Sequence, residues 1–173
     1  MGGDIAAWCA LRGLRVTLQD QSASLIAPAI ARAHVLFKTQ LKIPYLVQAA
    51  MDRLMADVNG AGVAKADVVI EAIFENMEAK QALFKIIELQ LRPDALLATN
   101  TSSIPIEQLA ECLVQPKRLV GLHFFNPVAK MQLVEIVKGK KTLKKWIHQA
   151  SAFTRQIGRL PLPVKSSPGF LVN

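Results

Sequence analysis

Short, nearly unbroken apolar runs recur along the chain at Leu14–Gln19, Asp67–Ala72, Ala95–Thr99, Arg118–His123, Leu133–Val137 and Leu160–Val164. Runs of this length without polar alternation predict strands covered on both faces, as in a parallel sheet sheathed by helices. Between them lie amphipathic stretches that predict helices over Gly3–Arg12, Ser22–Thr39, Pro44–Ala56, Asn76–Leu91, Ile106–Leu113 and Thr142–Ile157. In the fourth, Ala79, Leu83, Ile86 and Ile87 recur at helical spacing and Pro93 follows the end. Strand and helix in alternation predict an α/β fold, doubly wound, with a mainly parallel sheet.

Composition narrows the classes. With 173 residues, 51% apolar and 20% charged, the chain can bury a core and is too apolar to be a disordered segment. No stretch reaches the roughly 18 to 20 apolar residues of a membrane span. Cys9 and Cys112 have neither CxxC nor Cys/His spacing, so no metal site and a reduced, cytoplasmic setting are expected. Lys and Arg number 21 against 13 Asp and Glu, a net charge of +8. That excess favours a phosphate-bearing partner, whether nucleotide, coenzyme or nucleic acid, and sign alone leaves the three open.

The opening carries a partial signal. Met1-Gly2-Gly3 leads into a helix rich in small Ala6, Ala7 and Ala10, and the next strand ends at Asp20. Read back from that strand, this is the second half of a βαβ dinucleotide unit. Its G-x-G-x-x-G fingerprint would end at Gly2, which would pack helix on strand, and Asp20 would accept from the ribose hydroxyls. A small residue before a helix and an Asp after a strand are also common in proteins without nucleotides, so the residues alone leave both readings open.

Two later blocks carry chemistry. Thr99-Asn100-Thr101-Ser102-Ser103 follows a strand, where open α/β sheets bind ligands; the plainer reading is a turn with Ser103 capping a helix that includes Glu107. The next strand ends in His123-Phe124-Phe125-Asn126-Pro127, and Glu135 lies inside the apolar run Leu133–Val137. A carboxylate buried in a strand is costly unless paired. His123 is the best partner, because a buried Glu holds an imidazole in one tautomer and stabilises its protonated form. His34 and His148 lie on helical stretches without evident partners, and Trp8 and Cys9 read as core.

The blocks Val69–Asn76, Asn100–Ser103, His123–Pro127, Leu133–Glu135 and Pro168–Asn173 resemble, in order and spacing, the NAD-binding domain of L-3-hydroxyacyl-CoA dehydrogenases. The resemblance is nearest to the alpha subunits of bacterial multifunctional fatty-acid oxidation complexes. It implies a Rossmann-like fold and NAD-dependent oxidation of (S)-3-hydroxyacyl-CoA to 3-oxoacyl-CoA in β-oxidation. It implies that His123 is the general base, that Glu135 orients it, and that Ser102 and Asn173 hydrogen-bond the reacting oxygen, Ser102 also touching the cofactor. Asp20 would hold the adenine ribose, Met1 and Gly2 would lie at the pyrophosphate turn, and Ile73, Phe74, Glu75, Lys80 and Asn126 would line the NAD site. Lys38 and Lys42 fall where the family contacts coenzyme A. A carboxylate at Asp20, with no Arg directly after it, favours NAD over NADP.

The family's first strand and Gly-x-Gly would precede Met1, and an all-helical domain would follow Asn173. Residues 1–173 are therefore expected to be the NAD-binding Rossmann domain truncated at both ends, and poorly active alone. Implied partners are 3-hydroxyacyl-CoA, the helical domain and a thiolase subunit of the full-length complex. Two other readings stand beside this one: an inactive fragment of such an enzyme, and a basic nucleic-acid-binding module. Dispersed charge, sparse aromatics and the lack of a recognition motif weigh against the last. The run Lys138-Gly139-Lys140-Lys141 with Lys144 and Lys145 is read as a solvated turn and helix face, with coenzyme A phosphates as the alternative.

Overall fold

The computed structural model describes residues 1–167 and 170. The chain divides into two compact units, Met1–Gly62 with Asn126–Met131, and Val63–Phe125 with the segment from Gln132 onward.

The first unit runs α1 (Gly2–Leu11), β1 (Val16–Leu18), α2 (Ala23–Leu41), α3 (Pro44–Asp52) and β2 (Leu54–Ala56). Small residues let its helices approach closely: Ala6, Ala7 and Ala10 of α1 pack with Ala33 and Phe37 of α2 and with Val47 and Ala50 of α3. The tightest approach at the start of α1 falls on Gly3, where a Cβ would lie 2.5 Å from the Cβ of Ala29. Lys42 caps α2 in the left-handed region and Pro44 opens α3, where its missing N–H costs nothing.

One expectation fails here. Leu54–Ala56 is a strand, not the last turn of the third helix, and pairs in parallel with β1 through Val16↔Leu54 and Leu18↔Ala56. Tertiary bonds decide it: Val16 N–H donates to the Arg53 carbonyl at 2.8 Å, and Arg53 Nε donates to the Ala10 carbonyl at 3.0 Å.

The second unit runs β3 (Val68–Glu71), α4 (Met77–Gln90), β4 (Leu96–Thr99), α5 (Ile106–Ala110), β5 (Val120–Phe124), β6 (Leu133–Lys138), α6 (Lys144–Gln156) and β7 (Leu160–Lys165). Its sheet has the order β3-β4-β5-β6-β7, parallel throughout except for β5 against β6. Asn76 caps α4 by accepting from Ala79 N–H at 2.8 Å. Phe84 and Ile87 of α4 and Ile106 and Leu109 of α5 cluster with Leu97 and Val137 on one face. The alternate positions Leu96, Ala98, Leu122 and Ile136, all fully buried, project to the other face.

The strands thus form a Rossmann-like, mainly parallel α/β arrangement, divided into a β1-β2 sheet and a five-stranded sheet. Among the described residues, the ladder partner of β7 is β6 alone, in register from Leu133↔Leu160 to Lys138↔Lys165. Pro161 and Pro163 both lie on that outer strand. Among the described residues no helix is long and apolar enough to cross a membrane.

Candidate active site

The antiparallel register of β5 and β6 sets His123 directly opposite Glu135. Nδ1 and Oε2 are 2.8 Å apart, with the side chains 6% and 0% exposed. A carboxylate so enclosed requires donors. With Nδ1–H donating to it, the Nε2 lone pair is left free to take a proton. The ring lies near those of Phe125 and Phe170, with centroids 4.6 and 5.4 Å away.

Beside this pair lies the end of β4. Asn100 Oδ1 accepts from Phe124 N–H at 2.9 Å, which ties β4 to β5 one residue after His123. The following turn is gathered around Glu75. One oxygen, Oε1, accepts from Thr101 Oγ1 at 2.5 Å, Ser102 N–H at 3.0 Å, and Ser103 N–H and Oγ both at 3.1 Å. Burial pushes the Glu75 carboxyl up, but these donors and the Lys80 ammonium outweigh it and hold the pKa down at about 2. Ser103 does not cap the next helix as expected: Pro105 occupies the cap position, and Glu107 accepts from Ser166 Oγ at 2.7 Å and Lys140 N–H at 2.8 Å. The hydroxyl of Ser102 has no partner among the described residues and stands at the exposed tip of the turn.

Beneath this turn is a buried ionic network that sequence reasoning missed. Glu71 Oε1 accepts from Lys80 Nζ at 2.7 Å and from Ile73 N–H at 2.8 Å, while Oε2 accepts from Thr99 Oγ1 at 2.6 Å. Lys80 Nζ also lies 3.3 Å from Glu75 Oε2 and 3.2 Å from the Ile73 carbonyl. Lys80, expected to line the cofactor site, is thus fully enclosed and braces the loop after β3 from below. Ile73 and Phe74, at the top of that loop, are exposed apolar side chains. The signal for Glu71 was the one that exposed Glu135, a carboxylate closing an apolar strand.

The remaining candidates belong to the first unit or lie outside the described residues. Met1 is the cap residue of α1, whose first turn has no side-chain cap, and Gly2 opens the helix. Asp20 is exposed just past β1 and accepts from Gln21 N–H at 2.8 Å through Oδ1. Asn126 begins the segment Asn126–Met131 and precedes a cis peptide bond to Pro127. Asn173 lies outside the described residues.

Residues 1–167 match the family described as 3-hydroxyacyl-CoA dehydrogenase, NAD binding domain. Among solved structures, 3-hydroxybutyryl-CoA dehydrogenase from Escherichia coli K12 is 37% identical with a TM-score of 0.94, over 99% of this chain and 37% of that one. The (S)-3-hydroxybutyryl-CoA dehydrogenase PaaH1 from Ralstonia eutropha is 34% identical with a TM-score of 0.95, over 100% and 62%. M. tuberculosis FadB2 is 31% identical with a TM-score of 0.95, over 100% and 63%. The chain therefore spans between 37% and 63% of the length of these relatives. By sequence and by fold, the chain belongs to the family of 3-hydroxyacyl-CoA dehydrogenase NAD-binding domains, and its cofactor is NAD.

Proposed function

We propose that the protein oxidises (S)-3-hydroxyacyl-CoA to 3-oxoacyl-CoA as a step of fatty-acid β-oxidation, with residues 1–173 forming the NAD-binding domain. The observation that carries this reading is the buried His123–Glu135 pair, 2.8 Å apart, beside the unengaged Ser102 hydroxyl.

An alcohol becomes a ketone when the oxygen loses a proton and the carbon a hydride. His123 Nε2 takes the proton, and Glu135 stabilises the imidazolium that results and fixes the ring orientation. Ser102, joined by Asn173, hydrogen-bonds the reacting oxygen. When bound, NAD supplies the hydride acceptor.

Several residues fit the dinucleotide. In the first unit, the uncapped first turn of α1 offers free N–H groups and the positive end of the helix dipole to the pyrophosphate, beginning at Met1 and Gly2. There Asp20 supplies an exposed carboxylate for the ribose, and Asn126 contributes a polar side chain. In the second unit, Ile73 and Phe74 offer apolar surface, and Glu75 holds the Ser102 turn in place from beneath.

For the acyl-CoA, the first unit has a cleft of about 450 Å³ lined by Arg32, Thr39, Gln40 and Lys130, and Lys38 and Lys42 lie at the same end of α2. On the same reading, a helical domain of the full-length protein completes the acyl-CoA site. The reading further places the enzyme in a cytoplasmic multifunctional complex, where a thiolase subunit consumes the 3-oxoacyl product.

The test is acetoacetyl-CoA-dependent NADH oxidation by the full-length native protein. His123→Ala and Glu135→Gln are each expected to lower kcat by about 100-fold or more, with the KM for NADH little changed. Undiminished turnover in either variant overturns the catalytic assignment. Tight binding of duplex DNA at physiological salt, with no response to NADH, would reverse the order of the enzyme and nucleic-acid readings.

A further inference from the structure

At the opposite end of β5 from His123, roughly 15 Å away by strand rise, the second unit has a groove of about 330 Å³ whose lining includes Lys117, Arg118, Lys145 and Trp146. It is firmly built. Leu143 N–H donates to the Lys117 carbonyl at 3.0 Å and Thr142 Oγ1 to the Leu119 carbonyl at 2.9 Å, which clamps the turn before α6 against the start of β5.

Arg118 forms part of its wall and is only 3% exposed. Its Nε donates to the Ala95 carbonyl at 2.8 Å, and Nη2 donates to the carbonyls of Arg92 and Ala95. These partners are neutral. Among the described residues no carboxylate forms an ion pair with it: Glu88 is engaged by Val114 and Gln115 N–H at 2.8 Å, and Asp94 by Arg92 at 2.9 Å. Burial holds the Arg118 pKa below the usual guanidinium value, against the weaker pull of Glu88 and Asp94.

A buried cation is ordinarily paired, because desolvation is otherwise uncompensated. The other charged side chains that line the groove, Lys117 and Lys145, are cations too. Lys145 Nζ sits 4.4 Å from the centroid of the Trp146 ring and the Arg118 guanidinium carbon 5.2 Å from it, while Lys117 is exposed at the rim and pairs with no carboxylate among the described residues.

Apolar side chains share the groove. Val114 is 89% exposed and Leu143 44%, so the surface alternates cation and hydrocarbon. We propose that this groove docks an acidic segment of a partner polypeptide, its carboxylates meeting Lys117, Arg118 and Lys145 and an interspersed apolar side chain covering Val114 and Leu143. A bare phosphate group would leave the hydrocarbon unused. A second copy of this chain, at +8, would bring net repulsion. Complementary charge sets the register of such contacts.

The test uses the native protein and two synthetic peptides, acetyl-Glu-Leu-Asp-Glu-Leu-Glu-amide and its counterpart with Lys at every acidic position, with tripolyphosphate as a third ligand. Calorimetry gives affinity, and the indole N–H resonances of Trp8 and Trp146 report location. The acidic peptide is expected to bind saturably, to shift the Trp146 resonance and not that of Trp8, and to weaken as salt rises. Lys117→Glu with Lys145→Glu, both exposed positions, should weaken it at least tenfold, and Leu143→Ser several-fold, with acetoacetyl-CoA reduction unchanged. The proposal falls if the acidic peptide fails to bind or binds no better than the lysine peptide. It falls equally if the charge-reversed variant retains full affinity, or if tripolyphosphate binds as tightly and ignores Leu143→Ser.

Discussion

Glu75 shows how one carboxylate can organise a turn. Its pKa of about 2 in the fold against an ordinary 4.5 ties stability to acid in a definite direction. A depressed folded value means that the ionised group stabilises the native state fully above pH 4.5, and that this contribution fades as pH falls from about 4.5 to about 2. The stability gap between wild type and Glu75→Gln, measured as urea midpoints, is therefore expected to close across that window. A gap that persists undiminished at pH 2 would contradict the assignment. Glu71 acts below it. Glu71→Gln leaves the enclosed Lys80 ammonium short of its nearest partner and is expected to cost about 3 kcal/mol in urea unfolding, whereas adding Lys80→Met should recover much of the loss. Glu71 was as legible as Glu135, since each is a carboxylate in an apolar strand. Its partner was not: the resemblance set Lys80 at the NAD site, and only the packing of α4 shows its ammonium turned inward onto Glu71.

Among the elements, β5 and β6 carry the site by their register, and Gly121 shows how little slack they have. A Cβ there would lie 2.6 Å from the Cβ of Val137 and 3.1 Å from Ile106 Cδ1. Gly121→Ala is expected to destabilise by about 1 to 3 kcal/mol through overpacking, read as a lower thermal midpoint. The pairing of His123 with Glu135 could be inferred because a carboxylate inside an apolar strand is costly unless paired. β2 could not, because Leu54-Met55-Ala56 follows α3 without Gly or Pro, and a strand of three residues shows no period of its own. Ser103 misled for a related reason. A serine ahead of a helix suits a cap, yet a carboxylate from the loop after β3 captured it first.

Over the whole molecule, the two sheets are expected to differ in persistence. The β1-β2 ladder joins strands of three residues each, a size that has little stability without packing, while every residue of β4 and β5 is buried. Amide hydrogen exchange is expected to be faster by at least tenfold in Val16–Leu18 than in Leu96–Thr99 and Val120–Phe124; equal protection would show that the units open together. The outer strand β7 governs a different property. Leu160 and Ser166 donate their N–H groups to the carbonyls of Gln132, just before β6, and Lys138, its last residue, so the even-numbered amides of β7 face its neighbour and the odd-numbered ones face outward. Pro161 and Pro163 occupy outward positions, where a missing N–H removes nothing from the ladder and deprives any approaching strand of its donors. The prolines thereby act as a stopper against sheet-to-sheet polymerisation. Pro161→Val with Pro163→Val is expected to keep the activity while shortening the lag before light scattering rises in a concentrated, warmed solution.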